Sequence, residues 1–509
     1  MFPLFILHTS YFIFHIWSIM NTPPQIRLVE SRARLSESVI WDQQNRHLAD
    51  LGADAWKTIA NTKPAEYYTY LADLYADLII GLMRDIIRRH PRRKETFEIL
   101  ELGSASGHFA WLFCKVMDQR LTDLSFDNVD YRLTLSDPHQ ACQKCWSQQP
   151  QLQPFVESGK LNWSEECRAG QSSPLIVIAN GHFSTLAADA FYIENGTLYE
   201  NRLTVEAKQI DEGEDLDYYY DPIPFQKSEV GELLELYPAA IKDGTFTIPI
   251  AALATIEELK TQAKDEIILL TADTMYLTPD AMYQRPADNL FTKGLISTPL
   301  NAHAFTHILR AQDWHSLVPE TPANPFQTMA SICSKHDWPE LDAAWTRNNT
   351  PRTLDDSINL CRAFTNSEQP TIRQLLSLFR LCHNNPAPLT EYVNILKAQL
   401  PKATATETKL LTQTLDALWQ NTYRNGQGPD IAFELAKLYF QLEDIQTAAI
   451  YLHHSIDDYG ESTDSCYNLA LCYKQLGRLD ESSRWLKKST LVDPEYEPAR
   501  QLIEQLQEV

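Results

Sequence analysis

The sequence predicts an α/β domain with a mostly parallel sheet, followed by an all-α region. Three observations support this fold class. Short, nearly continuous apolar runs alternate with helical segments over roughly the first 300 residues, which is typical of strands that are buried on both faces of a sheet. A glycine-containing loop joins the first of these runs to a helix. Near the C-terminus, a pattern of apolar and small residues recurs after 34 residues.

The composition is that of a globular protein with an acidic surface. The chain has 509 residues, of which 44% are apolar and 22% are charged, and 44 Lys and Arg against 67 Asp and Glu give a net charge of −23. This balance disfavours broad electrostatic binding to nucleic acid or to an anionic membrane. Nine cysteines without paired spacing predict reduced thiols and a cytoplasmic location.

The first 19 residues allow three interpretations. They are nearly all apolar and contain no Lys or Arg, whereas a signal peptide has a cationic start and a small-residue cleavage site. In the first interpretation, translation starts at Met20, which opens a typical N-terminus. In the second, residues 1–19 form a signal or a membrane anchor, which would give a membrane-anchored protein. In the third, they form a helix that packs on the domain.

Helix and strand patterns follow one another along the chain. Residues 67–90 repeat apolar residues at helical spacing, and Pro91 ends that helix. Four apolar runs predict strands at residues 97–102, 131–135, 174–179 and 266–271. From about residue 301 onward the patterns are helical, and no strand is predicted.

The C-terminal region contains a repeat of helical hairpins. Six positions recur 34 residues later: Leu435, Ala436, Tyr439, Ala448, Leu452 and Ser455 correspond to Leu469, Ala470, Tyr473, Ser482, Leu486 and Ser489. This period resembles the tetratricopeptide repeat, a helix pair that needs stacked neighbours. The predicted organisation is a leader or upstream segment at 1–19, an α/β domain at 20–320, a helical connector or degenerate repeats at 321–425, and tetratricopeptide-like repeats at 426–509.

The loop from Glu101 to Gly107 is the strongest candidate for a cofactor site. Gly103 permits a sharp turn after the first strand, Ser104 follows it, and Gly107 lets the next helix pack closely, so the backbone can approach a nucleoside cofactor. Asp137 ends the second strand, where a carboxylate can bind both ribose hydroxyls. The gap of 34 residues between Gly103 and Asp137, together with the acidic Glu101, favours S-adenosylmethionine. A nicotinamide cofactor, for which the gap is about 20 residues, is the weaker alternative.

The third strand ends in Asn180, and His182 follows two residues later. In a methyltransferase this edge faces the transferred methyl group, so the Asn180 carbonyl can orient an acceptor N–H and His182 can serve as a base. A structural role for His182 is the alternative. No metal site is predicted, because one CxxC pair without a second is weak evidence for zinc. The residues considered for zinc are His139, Cys142, Cys145 and Cys167.

Several stretches between residues 40 and 315 resemble the MidA-like family of class I S-adenosylmethionine-dependent methyltransferases, which includes the mitochondrial complex I assembly arginine methyltransferase. The quoted stretches are EILELGSASGHFA, LTLSDPHQACQK, IVIANGHFSTLAADAFYIENGTLYENRL, ILLTADTMY and PLNAHAFTHIL. The resemblance implies a Rossmann-like domain that binds S-adenosylmethionine through Glu101, Gly103, Ser104, Gly107, Asp137 and Asn180. It also matches Asp273 and His303 to an Asp and a His of the family.

Departures from the family pattern affect the acceptor side. Gly181 and Ser184 stand where the family usually has Glu and Asp, Ala187 replaces a Pro, and the family's glycine-rich N-terminal segment is not recognisable before residue 97. The first hypothesis is a methyltransferase that acts on a nitrogen of a protein acceptor and recruits partners through its repeats. The alternative is a catalytically inactive methyltransferase-like scaffold whose repeats mediate protein–protein interaction.

Overall fold

A computed structural model describes residues 26–91, 94–126, 129–164, 174–210, 213–226, 231–263, 266–286, 290–292, 295–320, 325–349 and 370–507. Residues 1–19, for which the sequence allows three interpretations, lie outside these ranges. Across the described ranges, the helices are too short or too polar to cross a lipid bilayer.

The strands of the described residues are β1 (Ile26–Ala33), β2 (Glu95–Leu102), β3 (Val129–Ser136), β4 (Leu161–Ser164), β5 (Leu175–Asn180), β6 (Asp189–Glu194), β7 (Thr197–Ile210), β8 (Gly213–Pro224), β9 (Gly244–Ile248), β10 (Ile267–Tyr276), β11 (Phe291–Thr292), β12 (Leu295–Ile296), β13 (Leu300–Asn301), β14 (His315–Leu317) and β15 (Phe326–Cys333).

The α-helices are α1 (Ile40–Leu51), α2 (Ala55–Asn61), α3 (Tyr68–Arg89), α4 (His108–Leu124), α5 (Gln140–Gln148), α6 (Gln153–Glu157), α7 (Gly231–Ala240), α8 (Ile250–Gln262), α9 (Ala302–Arg310), α10 (Pro339–Asn349), α11 (Ile372–Leu381), α12 (Leu389–Gln399), α13 (Ala405–Gln420), α14 (Ile431–Gln441), α15 (Ile445–Tyr459), α16 (Thr463–Gln475), α17 (Leu479–Val492) and α18 (Glu497–Gln507).

The main sheet has the strand order β14-β15-β10-β5-β2-β3-β4. The five strands from β10 to β4 are mutually parallel, and β15 runs antiparallel to both β10 and β14. Counted along the chain within this sheet, the order from β4 is 3-2-1-4-5-7-6. Its first five strands have the doubly wound order of a Rossmann fold, and the antiparallel strand β15 pairs with β10 beside them. The predicted fold class is therefore confirmed.

Helices cover both faces of the main sheet. On one face, Ile176 and Ile178 of β5 belong to the core that includes α3 and α4. On the other face, Leu175 and Val177 pack with α8 and α9. Because alternate residues of a strand point to opposite faces, both sets are buried, which explains why β5 is an uninterrupted apolar run.

A second, antiparallel sheet joins β1, β6, β7, β8 and β9. Its long β7–β8 hairpin contains the acidic, tyrosine-rich stretch that lies between the third and fourth predicted strands. Aromatic residues of α7 and β9 pack beneath it, with the Tyr237 and Phe246 ring centroids 4.6 Å apart. Strands β6 to β9 of this sheet lie on the chain between β5 and β10, whereas β1 comes from the start of the described chain and pairs with β7.

The prediction that no strand follows residue 301 is wrong. Strands β14 and β15 lie in that region, and β15 pairs with β10 over eight residues. Helix α10 then packs against α3, where a Cβ on Gly81 would lie 2.7 Å from the Glu340 carbonyl oxygen. The α/β part of the chain therefore continues beyond residue 320. The strand was missed because buried polar residues, Gln327, Thr328 and Ser331, interrupt the apolar pattern of β15.

The C-terminal helices stack as antiparallel hairpins. The small residues Ala436, Ala448, Ala470 and Ser482 are all buried, which lets the paired helices approach closely. The ring of Tyr439 stacks on that of Tyr451 with 5.3 Å between centroids. Two earlier helices, α11 and α13, begin with capping boxes, in which a Thr side chain and a Gln or Glu three residues later satisfy backbone N–H groups.

Candidate cofactor site

The glycine loop connects β2 to α4 in the geometry that its sequence predicts. Gly103 has φ +63° and Gly107 has φ +78°, backbone conformations that favour glycine. The N–H groups of Gly103 and Ser104 both donate to the Ser136 carbonyl, at 2.8 Å and 3.3 Å. These bonds tie the loop to the end of β3 and bring Asp137 beside it.

Asp137 is directed at the loop itself. Its side chain is 2% exposed, Oδ2 accepts the Ala105 N–H at 3.1 Å, and Oδ1 accepts the His139 N–H at 3.1 Å. Both oxygens that would bind ribose hydroxyls are thus engaged by groups of the chain.

Glu101 is buried at the end of β2. Its side chain is 3% exposed, and Oε2 has no hydrogen-bond partner among the described residues. Burial raises the pKa of Glu101 to about 8, although attraction by the Lys63 ammonium opposes the shift. A carboxyl with this pKa is largely protonated at neutral pH.

Lys63 is the residue of this site that the sequence did not reveal. It follows α2, is 6% exposed, and donates from Nζ to the Gly181 carbonyl at 3.0 Å. A Cβ built on Gly103 would lie 2.9 Å from Lys63 Nζ and 2.5 Å from His182 Nδ1. Similarly, a Cβ on Gly181 would lie 2.8 Å from Pro64 Cδ. Lys63 and His182 therefore fill the space next to Gly103, and Pro64 lies against Gly181.

The electrostatics of Lys63 reflect its place among acids. Burial lowers the pKa of Lys63, and attraction by Asp137, Asp273 and Glu101 opposes this effect. Burial, assisted by repulsion from Lys63, lowers the pKa of His182 to about 3. The His182 imidazole is consequently neutral at physiological pH. No local sequence signal marks Lys63, because NTKPAE has the composition of a solvent-exposed turn.

Asn180 lies at the end of β5, as predicted, but its carbonyl is already engaged. Asn180 Oδ1 accepts a hydrogen bond from the Tyr75 hydroxyl at 3.0 Å, and both side chains are buried. Asn180 Nδ2 is buried without a partner in the described structure. Tyr75, a residue of α3 that sequence periodicity marks only as core, thus uses one of the two acceptor positions of this oxygen.

Asp273 and His303, which the family resemblance matched, lie in different parts of the structure. Asp273 lies at the site, where burial raises its pKa and its Oδ2 accepts the Ser184 N–H at 3.0 Å. His303 instead hydrogen-bonds to Tyr237, with 3.0 Å between Nδ1 and the hydroxyl oxygen, in the core that supports the second sheet. Of the zinc candidates, Cys167 lies outside the described residues. Among the residues that the structure describes, no three His, Cys, Asp or Glu side chains are grouped closely enough to hold a metal.

These observations decide whether the residues fit S-adenosylmethionine. In favour of the cofactor, Glu101 Oε2 and Asn180 Nδ2 are buried polar atoms without partners in the described chain. Against it, the Lys63 ammonium and the His182 ring lie in the space next to Gly103, and each Asp137 oxygen already accepts one backbone N–H. The cofactor does not fit this arrangement of side chains.

The end of the helical connector, just before the repeats, contacts the α/β domain at the glycine loop. The Tyr423 hydroxyl donates to the Ser106 carbonyl at 2.7 Å, and the Tyr423 ring stacks on His108, with 4.7 Å between centroids. Nearby, Gln149 Nε2 donates to the Arg424 carbonyl at 3.1 Å. A cavity of about 400 Å³ lies between the two parts, and the Lys63 side chain forms part of its wall.

Comparison with known protein families supports the predicted repeat. A family model of the tetratricopeptide repeat matches residues 463–496, which confirms the predicted repeat. No curated protein matches the chain.

Solved structures similar to this chain include members of the COG1565 superfamily from Burkholderia thailandensis. An uncharacterized member is 12% identical with a TM-score of 0.36, over 58% of this chain and 92% of that chain. A likely methyl transferase bound to S-adenosyl-homocysteine is 13% identical with a TM-score of 0.29, over 55% of this chain and 62% of that chain. The structure of MamA is 18% identical with a TM-score of 0.22, over 27% of this chain and 75% of that chain.

Proposed function

We propose that this chain is a protein-interaction scaffold, in which a methyltransferase-like α/β domain without methyl-transfer activity supports repeats that bind a protein partner. The observation that carries the proposal is the filling of the space over Gly103 by Lys63 and His182. Methyl transfer requires the cofactor to bind next to its acceptor. A buried lysine that must leave this space opposes cofactor entry.

The surface of the repeats is suited to a peptide. A cavity of about 720 Å³ lies between α14 and α16, with Lys437, Phe440, Asn468 and Gln475 on its walls. The mixture of amide, ammonium and aromatic groups can bind both the backbone and the side chains of an extended or helical segment. Stacked helical hairpins create such surfaces by their curvature.

The α/β domain contacts the helical connector that leads into the repeats. Besides the Tyr423 contacts, Lys115 Nζ donates to the Gln420 carbonyl at 2.6 Å, and the Arg424 N–H donates to Gln151 Oε1 at 2.7 Å. A rigid support lowers the entropy cost of ordering a binding surface. We therefore assign the α/β domain a supporting role in this proposal.

Two measurements on the full chain test the proposal. Calorimetric titration with S-adenosylmethionine should give no binding up to millimolar ligand, and labelled cofactor should transfer no methyl group to lysate proteins. Partner capture should be weakened by the double change Lys437→Ala and Asn468→Ala, and preserved by Lys487→Ala on an exposed face. Micromolar cofactor binding by the unchanged chain would overturn the proposal.

Methyl transfer is the second candidate function. It is favoured by Glu101 Oε2 and Asn180 Nδ2, which are buried without partners in the described chain, because such atoms are rare in native structures unless a ligand or water satisfies them. In this candidate, displacement of Lys63 would expose a site for a cationic cofactor. Methyl transfer by the full chain that is abolished by Asp137→Ala would establish it and refute the scaffold.

A further inference from the structure

Helix α9 carries two histidines one turn apart. His303 and His307 both lie on this helix, with their ring centroids 6.5 Å apart and an angle of 26° between the ring planes. Residues four positions apart lie on the same face of a helix, and two histidines at this spacing bind zinc together in the HExxH helices of metalloproteases. The pair is separate from the candidate cofactor site, and the proposed function does not use it.

The ring of His303 is held through its Nδ1 atom. The hydroxyl oxygen of Tyr237 lies 3.0 Å from this nitrogen. Tyr237 is itself fixed by Asn301, whose Nδ2 donates to the Tyr237 oxygen at 3.4 Å and to the Thr247 carbonyl at 3.0 Å. The other ring nitrogen of His303, Nε2, has no hydrogen-bond partner among the described residues. A histidine that binds a metal usually has its second nitrogen hydrogen-bonded in this way, which fixes both the ring and its tautomer.

His303 favours the neutral imidazole, which is the form that metals bind. It is half-buried, and burial, together with repulsion from His307 and Arg310, lowers its pKa. Two imidazoles on one metal ion, each with a nitrogen about 2.0–2.1 Å from it, have ring centroids roughly 5 Å apart. His307 is exposed, so a rotation of its side chain can bring the two rings to that distance without a movement of the helix.

We infer that His303 and His307 form a surface site for a divalent transition-metal ion of the Zn²⁺ and Ni²⁺ class, and that Tyr237 orients His303 within it. Imidazole nitrogen is a preferred ligand of these ions. Two protein ligands leave the remaining coordination positions to water, unlike the closed structural sites that three or four side chains build. The inference does not depend on the proposed function, because the pair lies on a different part of the α/β domain.

Calorimetric titration of the untagged full chain with NiCl₂ at about pH 7.5 tests the site. We expect His307→Ala to weaken Ni²⁺ binding at least about tenfold, since one of the two ligands is lost. His47→Ala, which removes an exposed histidine of α1, should leave the affinity unchanged. Ni²⁺ should also raise the Tm of the unchanged chain more than that of His307→Ala. Absence of binding by the unchanged chain up to millimolar Ni²⁺, or equal binding by His307→Ala, would overturn the inference.

Two further measurements separate a metal site from a merely structural pair. Tyr237→Phe keeps both histidines and removes the hydroxyl that orients His303, so it should weaken Ni²⁺ binding roughly tenfold; an unchanged affinity would refute the positioning role of Tyr237. Lowering the pH from about 7.5 to about 5.5 should weaken binding by the unchanged chain at least about tenfold, because protons compete with the metal for imidazole. An affinity that stays constant over this range would show that the ligands are not histidines, and would refute the site.

Discussion

Replacement of Gly103 by Ala tests whether the chain's own side chains fill the space over this residue. The residue has φ +63°, where an L-residue costs roughly 1–2 kcal/mol. In addition, the new Cβ would lie 2.5 Å from His182 Nδ1 and 2.9 Å from Lys63 Nζ. Overpacking of this kind costs about 1–3 kcal/mol. The free energy of unfolding should therefore fall by about 2–5 kcal/mol.

Gly159→Ala is the matched control, because Gly159 has φ +73° but no atom within 4 Å of the position that a Cβ would take. Only the backbone term applies there, so we expect a loss of about 1–2 kcal/mol. Both glycines lie in the α/β domain, and urea unfolding followed by tryptophan fluorescence compares the two variants in one transition. Equal losses would show that the space over Gly103 is open, which would refute our assignment of Lys63 and His182 to it.

Three further predictions concern the neighbouring contacts. Tyr423→Phe removes the hydroxyl that donates to the Ser106 carbonyl. The free energy of unfolding, measured in urea, should fall by about 1 kcal/mol. No loss, or an equal loss for Tyr219→Phe at an exposed position, would contradict this prediction. Burial raises the pKa of Glu101 to about 8 from 4.5, so its contribution to stability is complete below about pH 4.5 and is lost as the pH rises to about 8. The difference in unfolding free energy between the unchanged protein and Glu101→Gln should therefore change by roughly 1 kcal/mol per pH unit across this window, and a flat difference would contradict the burial of a protonated carboxyl. Gly81→Ala would place a Cβ 2.7 Å from the Glu340 carbonyl oxygen. Overpacking of about 1–3 kcal/mol, less a gain of roughly 1 kcal/mol in helix propensity, should give a net loss of up to about 2 kcal/mol. A higher Tm in thermal unfolding would refute the close packing of α3 and α10.

The sequence predicted the centre of the main sheet because its strands are buried on both faces. Strands β2, β3, β5 and β10 coincide with the four predicted apolar runs to within a few residues. The glycine loop was recognisable because its glycines lie between such a strand and a helix. The repeat was recognisable because six positions recur at a fixed period, and composition alone would not have revealed it.

Features that depend on tertiary contacts were missed. The polar residues of β15 are buried by pairing with β10 and by neighbouring helices, which no local pattern encodes. Lys63 is buried for the same reason, since elements far apart in the chain surround it. Sequence analysis could place Asn180 at a strand end, but the hydroxyl that engages it comes from Tyr75, 105 residues earlier.

The contact between Tyr423 and the Ser106–His108 turn has a thermodynamic consequence for the whole chain. If binding of a partner moves Tyr423, it changes the stability of the glycine loop. Because linkage is reciprocal, a change in the glycine loop then alters the affinity for that partner by an equal free energy. The contact between Tyr423 and the Ser106–His108 turn therefore couples the stability of the α/β domain to that of the helical region. Isolated repeats would lack this coupling, even where their own helices remain intact.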